Sequence, residues 1–115
     1  MAESIPSDTV TVTIPELVKR WGTTPGKLRR LIEEGYLAAI RIDGVLRIPA
    51  EFIQDDEPLH SLRGSLRVLR DAGFTNDQAV AWLLTENEEL GERPVAALID
   101  GRKSAVRRAT QSLAF

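Results

Sequence analysis

Two hydroxyl residues, Thr13 and Thr24, head two short apolar patterns, and the spacing around them constrains the chain more than any other feature. Thr13 precedes Glu16 by three positions, where each side chain can satisfy the other's free backbone N–H, so a helix starts there. Leu17, Val18 and Trp21 then recur at helical spacing, and Gly22 stands where a left-handed C-terminal cap is wanted. Thr24 is the next N-cap. Pro25 suits the first helical position, whose N–H has no intrahelical acceptor to lose. The second helix ends at Gly35 and carries Leu28, Leu31 and Ile32 on one stripe. Gly26, Arg29 and Arg30, with Lys27 to one side, therefore fall on or near the opposite face.

After Gly35 the period changes. Ala39 to Ile42 and Val45 to Ile48 are β-prone runs joined by Asp43-Gly44, a pair suited to the positive φ angles of a two-residue hairpin. Arg41 and Arg47 sit on its two arms. Strict two-residue pairing would set Ile40 opposite Arg47 and Arg41 opposite Leu46, a mixed pattern on both faces that leaves the register open. Two helices across a tight turn, followed by a ribbon, make a helix-turn-helix with a wing. In that arrangement the second helix lies in the major groove of a duplex with its N-terminal residues at the base edges, where small and cationic side chains belong. The expected DNA-binding residues are Thr24, Gly26, Lys27, Arg29 and Arg30, with Arg41 and Arg47 of the wing reaching phosphate or minor groove.

The run VTIPELVKRWGTTPGKLRRLIEEGYLAAIRIDGVLRIPAEFI resembles the winged helix-turn-helix of the excisionase and MerR-like group. In that group a cap, a helix, a short turn, an arginine-bearing helix and a Gly-containing wing ending in Arg-Ile-Pro follow in this order. The resemblance implies a DNA-binding regulatory protein. It departs at Thr23, commonly apolar in that group, and at Pro25-Gly26, where a polar pair is usual.

Charge is the main objection to such a partner, because the chain has 17 acids against 15 lysines and arginines and a net charge of −2, whereas duplex-binding domains often carry a basic excess. The charges are segregated, however. Between Lys19 and Arg47 the cations are Lys19, Arg20, Lys27, Arg29, Arg30, Arg41 and Arg47, against Glu33, Glu34 and Asp43. Arg102, Lys103, Arg107 and Arg108 form a second basic stretch with no acid beyond Asp100. The acids gather in Asp55-Asp56-Glu57 and in Glu86, Glu88, Glu89 and Glu92. A polyanion meets the local field, not the sum.

At 115 residues the chain suffices for one compact unit with two lobes. We expect a winged helix-turn-helix domain over 9–54 and a helical domain over 61–115, a mainly α protein whose C-terminal bundle has three to four helices. Met1 to Asp8 reads as a disordered polar leader without a secretory signal, and the cytoplasm is the expected compartment. Thr9 to Thr13 alternates Thr and Val, which favours a short strand over the other reading, a Ser/Thr kinase acting on the threonines. Gln54 to His60, polar, acidic and interrupted by Pro58, is the expected boundary.

Beyond Ser61 the pattern is helical. Leu62, Leu66 and Leu69 form one stripe; Thr75 and Gln78 make a second capping box; Pro94 opens a short helix through Val95, Leu98 and Ile99 to Gly101; and Val106 and Leu113 face inward from a last helix. The stretch AVAWLLTENEELGERPVAALIDGRKSAVRRA is similar to the C-terminal domain of Xre/ParS-type antitoxins, where it mediates dimerisation and toxin capture. Together the two halves also look like an actinobacterial family of small DNA-binding regulatory proteins.

No catalytic constellation is visible. There is no phosphate-cradling glycine loop, no nucleophile beside a histidine, and no carboxylate pair at a spacing that assigns acid and base roles. The chain has no cysteine, and the lone His60 and consecutive Asp55-Asp56-Glu57 lack metal-ligand spacing. We expect no enzyme, no cofactor and no metal. The expected partners are double-stranded DNA and a second copy held through the C-terminal helices, since one short recognition helix covers only a half-site. The alternative is a protein-interaction module, an antitoxin-like or adaptor protein.

Overall fold

A computed structural model describes residues 5–113. The elements run β1 (Thr11–Thr13), α1 (Ile14–Trp21), α2 (Pro25–Glu33), β2 (Ile40–Ile42), β3 (Val45–Pro49), a 3-10 turn (Ala50–Phe52), β4 (Ile53–Gln54), β5 (Glu57–Pro58), α3 (Leu62–Asp71), α4 (Asn76–Leu84), α5 (Pro94–Ile99) and α6 (Lys103–Gln111). Four helices thus follow the winged unit, the upper end of the expected number, and the architecture is mainly helical.

Both caps that anchor the helix pair form. The Thr13 N–H donates to Glu16 Oε1 at 2.8 Å, and the Glu16 N–H donates to the Thr13 hydroxyl at 3.3 Å. Gly22 adopts φ 62° and returns its N–H to the Val18 carbonyl, which ends α1 and turns the chain. Thr24 Oγ1 then accepts from the Lys27 N–H at 3.2 Å and opens α2. The stripes meet through Leu17 and Leu28, both fully buried.

The wing pairs Ile40 with Arg47, Arg41 with Leu46 and Ile42 with Val45. Asp43 at φ 52° and Gly44 at φ 80° supply the two left-handed positions of its turn. The ribbon is not free. β1 pairs with β3 along the other edge, Thr11 to Pro49 through Thr13 to Arg47, giving a three-stranded sheet of order β1-β3-β2. Part of the expected disordered leader is ordered for the same reason: Ile5 packs against the core, the Thr9 N–H donates to the Pro6 carbonyl at 3.0 Å, and the Ala50 N–H donates to the Val10 carbonyl at 2.8 Å. Residues 1–4 of that leader and 114–115 of the C-terminal unit lie outside the described residues.

The expected boundary segment is structured. β4 and β5 form a small hairpin, Ile53 to Pro58 and Gln54 to Glu57, and Gln54 Oε1 accepts the His60 N–H at 2.9 Å. Leu59 is 3% exposed and anchors it, an apolar residue outweighed in the sequence by the acids around it. One hydrophobic core runs from Ile14, Leu17 and Leu28 through Phe52, Ile53 and Leu59 to Leu66, Val80, Val95 and Val106. Polar ties cross the same junction. The Asn76 amide donates to the Ala39 carbonyl at 2.9 Å, and Arg93 makes a two-pronged ion pair with Glu51 at 2.5 and 2.7 Å. Ile99, the last apolar residue of the α5 run, is 50% exposed.

Candidate nucleic-acid interface

α2 presents its free face because Leu28 is buried while Gly26, Lys27, Arg29, Arg30, Glu33 and Glu34 are exposed. At about 100° per residue, Gly26, Arg30 and Glu33 occupy the centre of that face, with Arg29 on one flank and Lys27 on the other. Among the described residues none of Lys27, Arg29 and Arg30 makes an ion pair. Their charge is therefore available to a partner. Lys27 and Arg30 also border a groove of about 420 Å³, lined as well by Trp21, Leu31 and Pro58 and by the acids Glu34 and Asp56. The Trp21 indole N–H donates to the Asp55 carbonyl at 2.7 Å, fixing the β4-β5 hairpin to the end of α1. Trp21 is thus held as a structural element.

Thr24 is exposed and its hydroxyl oxygen is engaged as an acceptor, which leaves its O–H to donate elsewhere. Gly26 is a helical glycine with no heavy atom within 4 Å of where a Cβ would stand. Neither its φ nor its packing requires glycine.

The two wing arginines are not brought together. Side chains paired directly across an antiparallel sheet share a face and alternate along the strand. Arg47 consequently lies with Ile40 and Thr13, whereas Arg41 lies with Leu46 on the other face. Arg41 is exposed at the tip, its Nη1 donating to the Gly44 carbonyl at 3.3 Å. Arg47 is half-buried and donates to the Thr11 hydroxyl at 3.4 Å. The Glu16 carboxyl is held below its ordinary range by the Thr13 N–H it accepts, then by the Thr13 hydroxyl, with Arg47 adding a weaker attraction. Arg47 thus joins the wing root to the start of α1.

Arg102 is not free of acids as the sequence order suggests. Besides Asp100 at 2.8 Å, it pairs with Glu92 at 2.5 Å, brought across by the loop before α5. Sequence reading also passed over Arg63, Arg67 and Arg70 of α3, all exposed beside the C-terminal end of α2. Their spacing at i, i+4 and i+7 was the available signal.

Capped helix, turn, capped helix and three-stranded wing define a winged helix-turn-helix protein. Residues 1–53 match the family model described as DNA-binding protein Rv2175c, wHTH domain, and residues 59–114 match that of the Rv2175c C-terminal domain of unknown function. Each half of the chain is thus similar to the corresponding half of the Rv2175c proteins. It is 28% identical over 121 residues to DNA-binding protein Rv2175c of Mycobacterium tuberculosis (strain ATCC 25618 / H37Rv), covering 94% of this chain and 83% of that protein. The NMR structure of Rv2175c superposes with a TM-score of 0.80 at 28% identity, covering 97% of this chain and 91% of that one. These matches bear out the winged helix-turn-helix. The likeness to excisionase, MerR-like and antitoxin domains rests on sequence motifs alone.

Proposed function

We propose that the chain binds double-stranded DNA sequence-specifically as a transcriptional regulator, with α2 in the major groove and the wing on phosphate or minor groove. The observation that carries this reading is the set Lys27, Arg29 and Arg30, exposed and without an acid partner on a helix whose start is fixed by Thr24. That the similar protein is itself named a DNA-binding protein supports it. Arg29 or Arg30 reads base edges, Gly26 permits close approach, and Thr24, Lys27, Arg41 and Arg47 position the protein on phosphates. Because Arg41 and Arg47 occupy opposite faces, the wing meets the duplex edge-on, with Arg41 at the tip and Arg47 nearer the root. A second copy, joined through the C-terminal helices, supplies the other half-site.

The test is an anisotropy titration of wild type and Arg29→Ala/Arg30→Ala against duplex DNA at two salt concentrations. Loss of a phosphate contact should flatten the salt slope by roughly one unit, and loss of a base contact should relax specificity at a cost of about 1–3 kcal/mol. Equal, salt-insensitive binding by both proteins refutes the assignment, and the solution mass tests the dimer. A Ser/Thr kinase that modified Thr9 or Thr11 would place phosphate just before or on β1, beside the wing, and repel the duplex. Unchanged affinity in Thr9→Glu and Thr11→Glu would dismiss that regulation. The antitoxin-like or adaptor alternative asks for an apolar patch on the C-terminal helices, where Ile99 is the one exposed large apolar residue among those described.

A further inference from the structure

We infer that α3 extends the duplex-binding surface, with Arg63, Arg67 and Arg70 forming a row of phosphate-contacting residues where α2 ends. The inference rests on the reading of α2 as the recognition helix and gives the C-terminal unit a part in the same contact. α3 buries Leu62, Leu66 and Leu69, and helical geometry gathers the three arginines into one strip about 10 Å long on its flank.

This is not how a merely solvated helix face is built. Arg63 and Arg67 stand at i, i+4 and Arg67 and Arg70 at i, i+3, so the helix carries like charges at the spacings where they repel. A solvated face relieves such repulsion with interleaved acids. α3 has none in its first turn and only Asp71 at its end, and among the described residues none of the three arginines is in an ion pair. No carboxylate among those residues is therefore ion-paired with the row.

Its placement indicates the partner. Arg63 Nε donates to the Glu34 carbonyl at 3.3 Å, and its guanidinium lies 4.5 Å above the Tyr36 ring. Arg70 Nη1 lies against Gly35, the φ 84° residue that follows α2, 3.4 Å from where a Cβ would stand. The C-terminus of α2 carries the negative end of its dipole together with Glu33 and Glu34, and alone it would repel a phosphate backbone. Three guanidinium groups set against it offset that charge, and their rigid donor forks suit phosphate oxygens. Glu34 borders both this row and the groove lined by Lys27 and Arg30, so the row lies next to the cationic face of α2, and that neighbourhood favours the duplex backbone over an acidic protein partner.

Arg67 is the discriminating residue, because Arg63 also caps α2 and Arg70 reaches Asn76 Oδ1 at 3.5 Å, whereas Arg67 has no side-chain hydrogen bond among the described residues. Full-length Arg67→Gln and Arg67→Glu should melt as wild type does. In an anisotropy titration over a salt series, Arg67→Gln should flatten the slope of log K against log salt by about 0.9 and leave discrimination between duplex sequences unchanged. Arg67→Glu should weaken binding further. Wild-type affinity and slope in both variants would overturn the inference, and Arg29→Ala/Arg30→Ala, run alongside, shows whether the reading of α2 survives. Binding that ignored Arg29 and Arg30 yet depended on Arg67 would sink that reading and keep the α3 row.

Discussion

Gly26 offers a perturbation in which folding and binding should move in opposite directions. It sits in the first turn of α2 without a positive φ, and a Cβ there meets nothing within 4 Å. Glycine at such a position costs a helix about 0.5–1 kcal/mol relative to alanine, with the lower figure appropriate near an end. Unfolding entropy of about 2.1 cal/mol/K per residue gives roughly 0.24 kcal/mol/K for 115 residues. Gly26→Ala should therefore raise Tm by about 2 °C. Gly26→Glu adds a favourable charge at the positive end of the helix dipole, for a total of about 1 kcal/mol and a rise of about 4 °C. The same carboxylate stands among Lys27, Arg29 and Arg30, where it should lower duplex affinity at least tenfold, or about 1.4 kcal/mol. Far-UV melts and anisotropy titrations on the same preparations read both effects. A Gly26→Glu protein that melts higher and binds as well as wild type would show that this face does not meet DNA. A lower Tm for Gly26→Ala would refute the helix argument itself.

Leu28 is fully buried where α2 packs on α1, so Leu28→Ala should cost about 2–5 kcal/mol, seen as an earlier denaturant midpoint. Arg29→Ala should leave the midpoint unchanged; a comparable shift there would contradict its exposure. The Glu16 carboxyl is held below its ordinary range, so its contribution is fully present above the unfolded-state value and is lost as pH falls through the lower folded value. Glu16→Gln keeps an acceptor for the Thr13 N–H and should remove that part of the acid sensitivity of the helical signal. An acid titration identical to wild type would count against the capping box as its source.

What was legible in the sequence was local. Thr13 with Glu16, Thr24 with Pro25, Thr75 with Gln78 and Asp43-Gly44 each fix a backbone conformation through neighbours three positions away or fewer, and all appear where the spacing puts them. The stripe of α2 likewise told which cations face outward. What could not be read depends on distant partners. β1 pairs with β3 across more than thirty residues, Glu92 reaches Arg102, and Leu59 turns an acidic stretch into part of the core. The opposite orientations of Arg41 and Arg47 follow from the strict register, which the mixed pattern of the arms left undetermined. The row on α3 is not legible in the order of charges along the chain, because only the fold brings residues 63–70 to the end of α2.

The strand from Thr11 to Thr13 makes the wing a property of the chain's beginning as much as of its hairpin. Stripped of it, β2 and β3 are a two-stranded ribbon of the kind that is marginal in water. A protein shortened to start at the first helix would keep its helix pair but offer a duplex a slack second grip, and a bulky tag fused close to Thr11 would be felt at the ribbon before it was felt anywhere else.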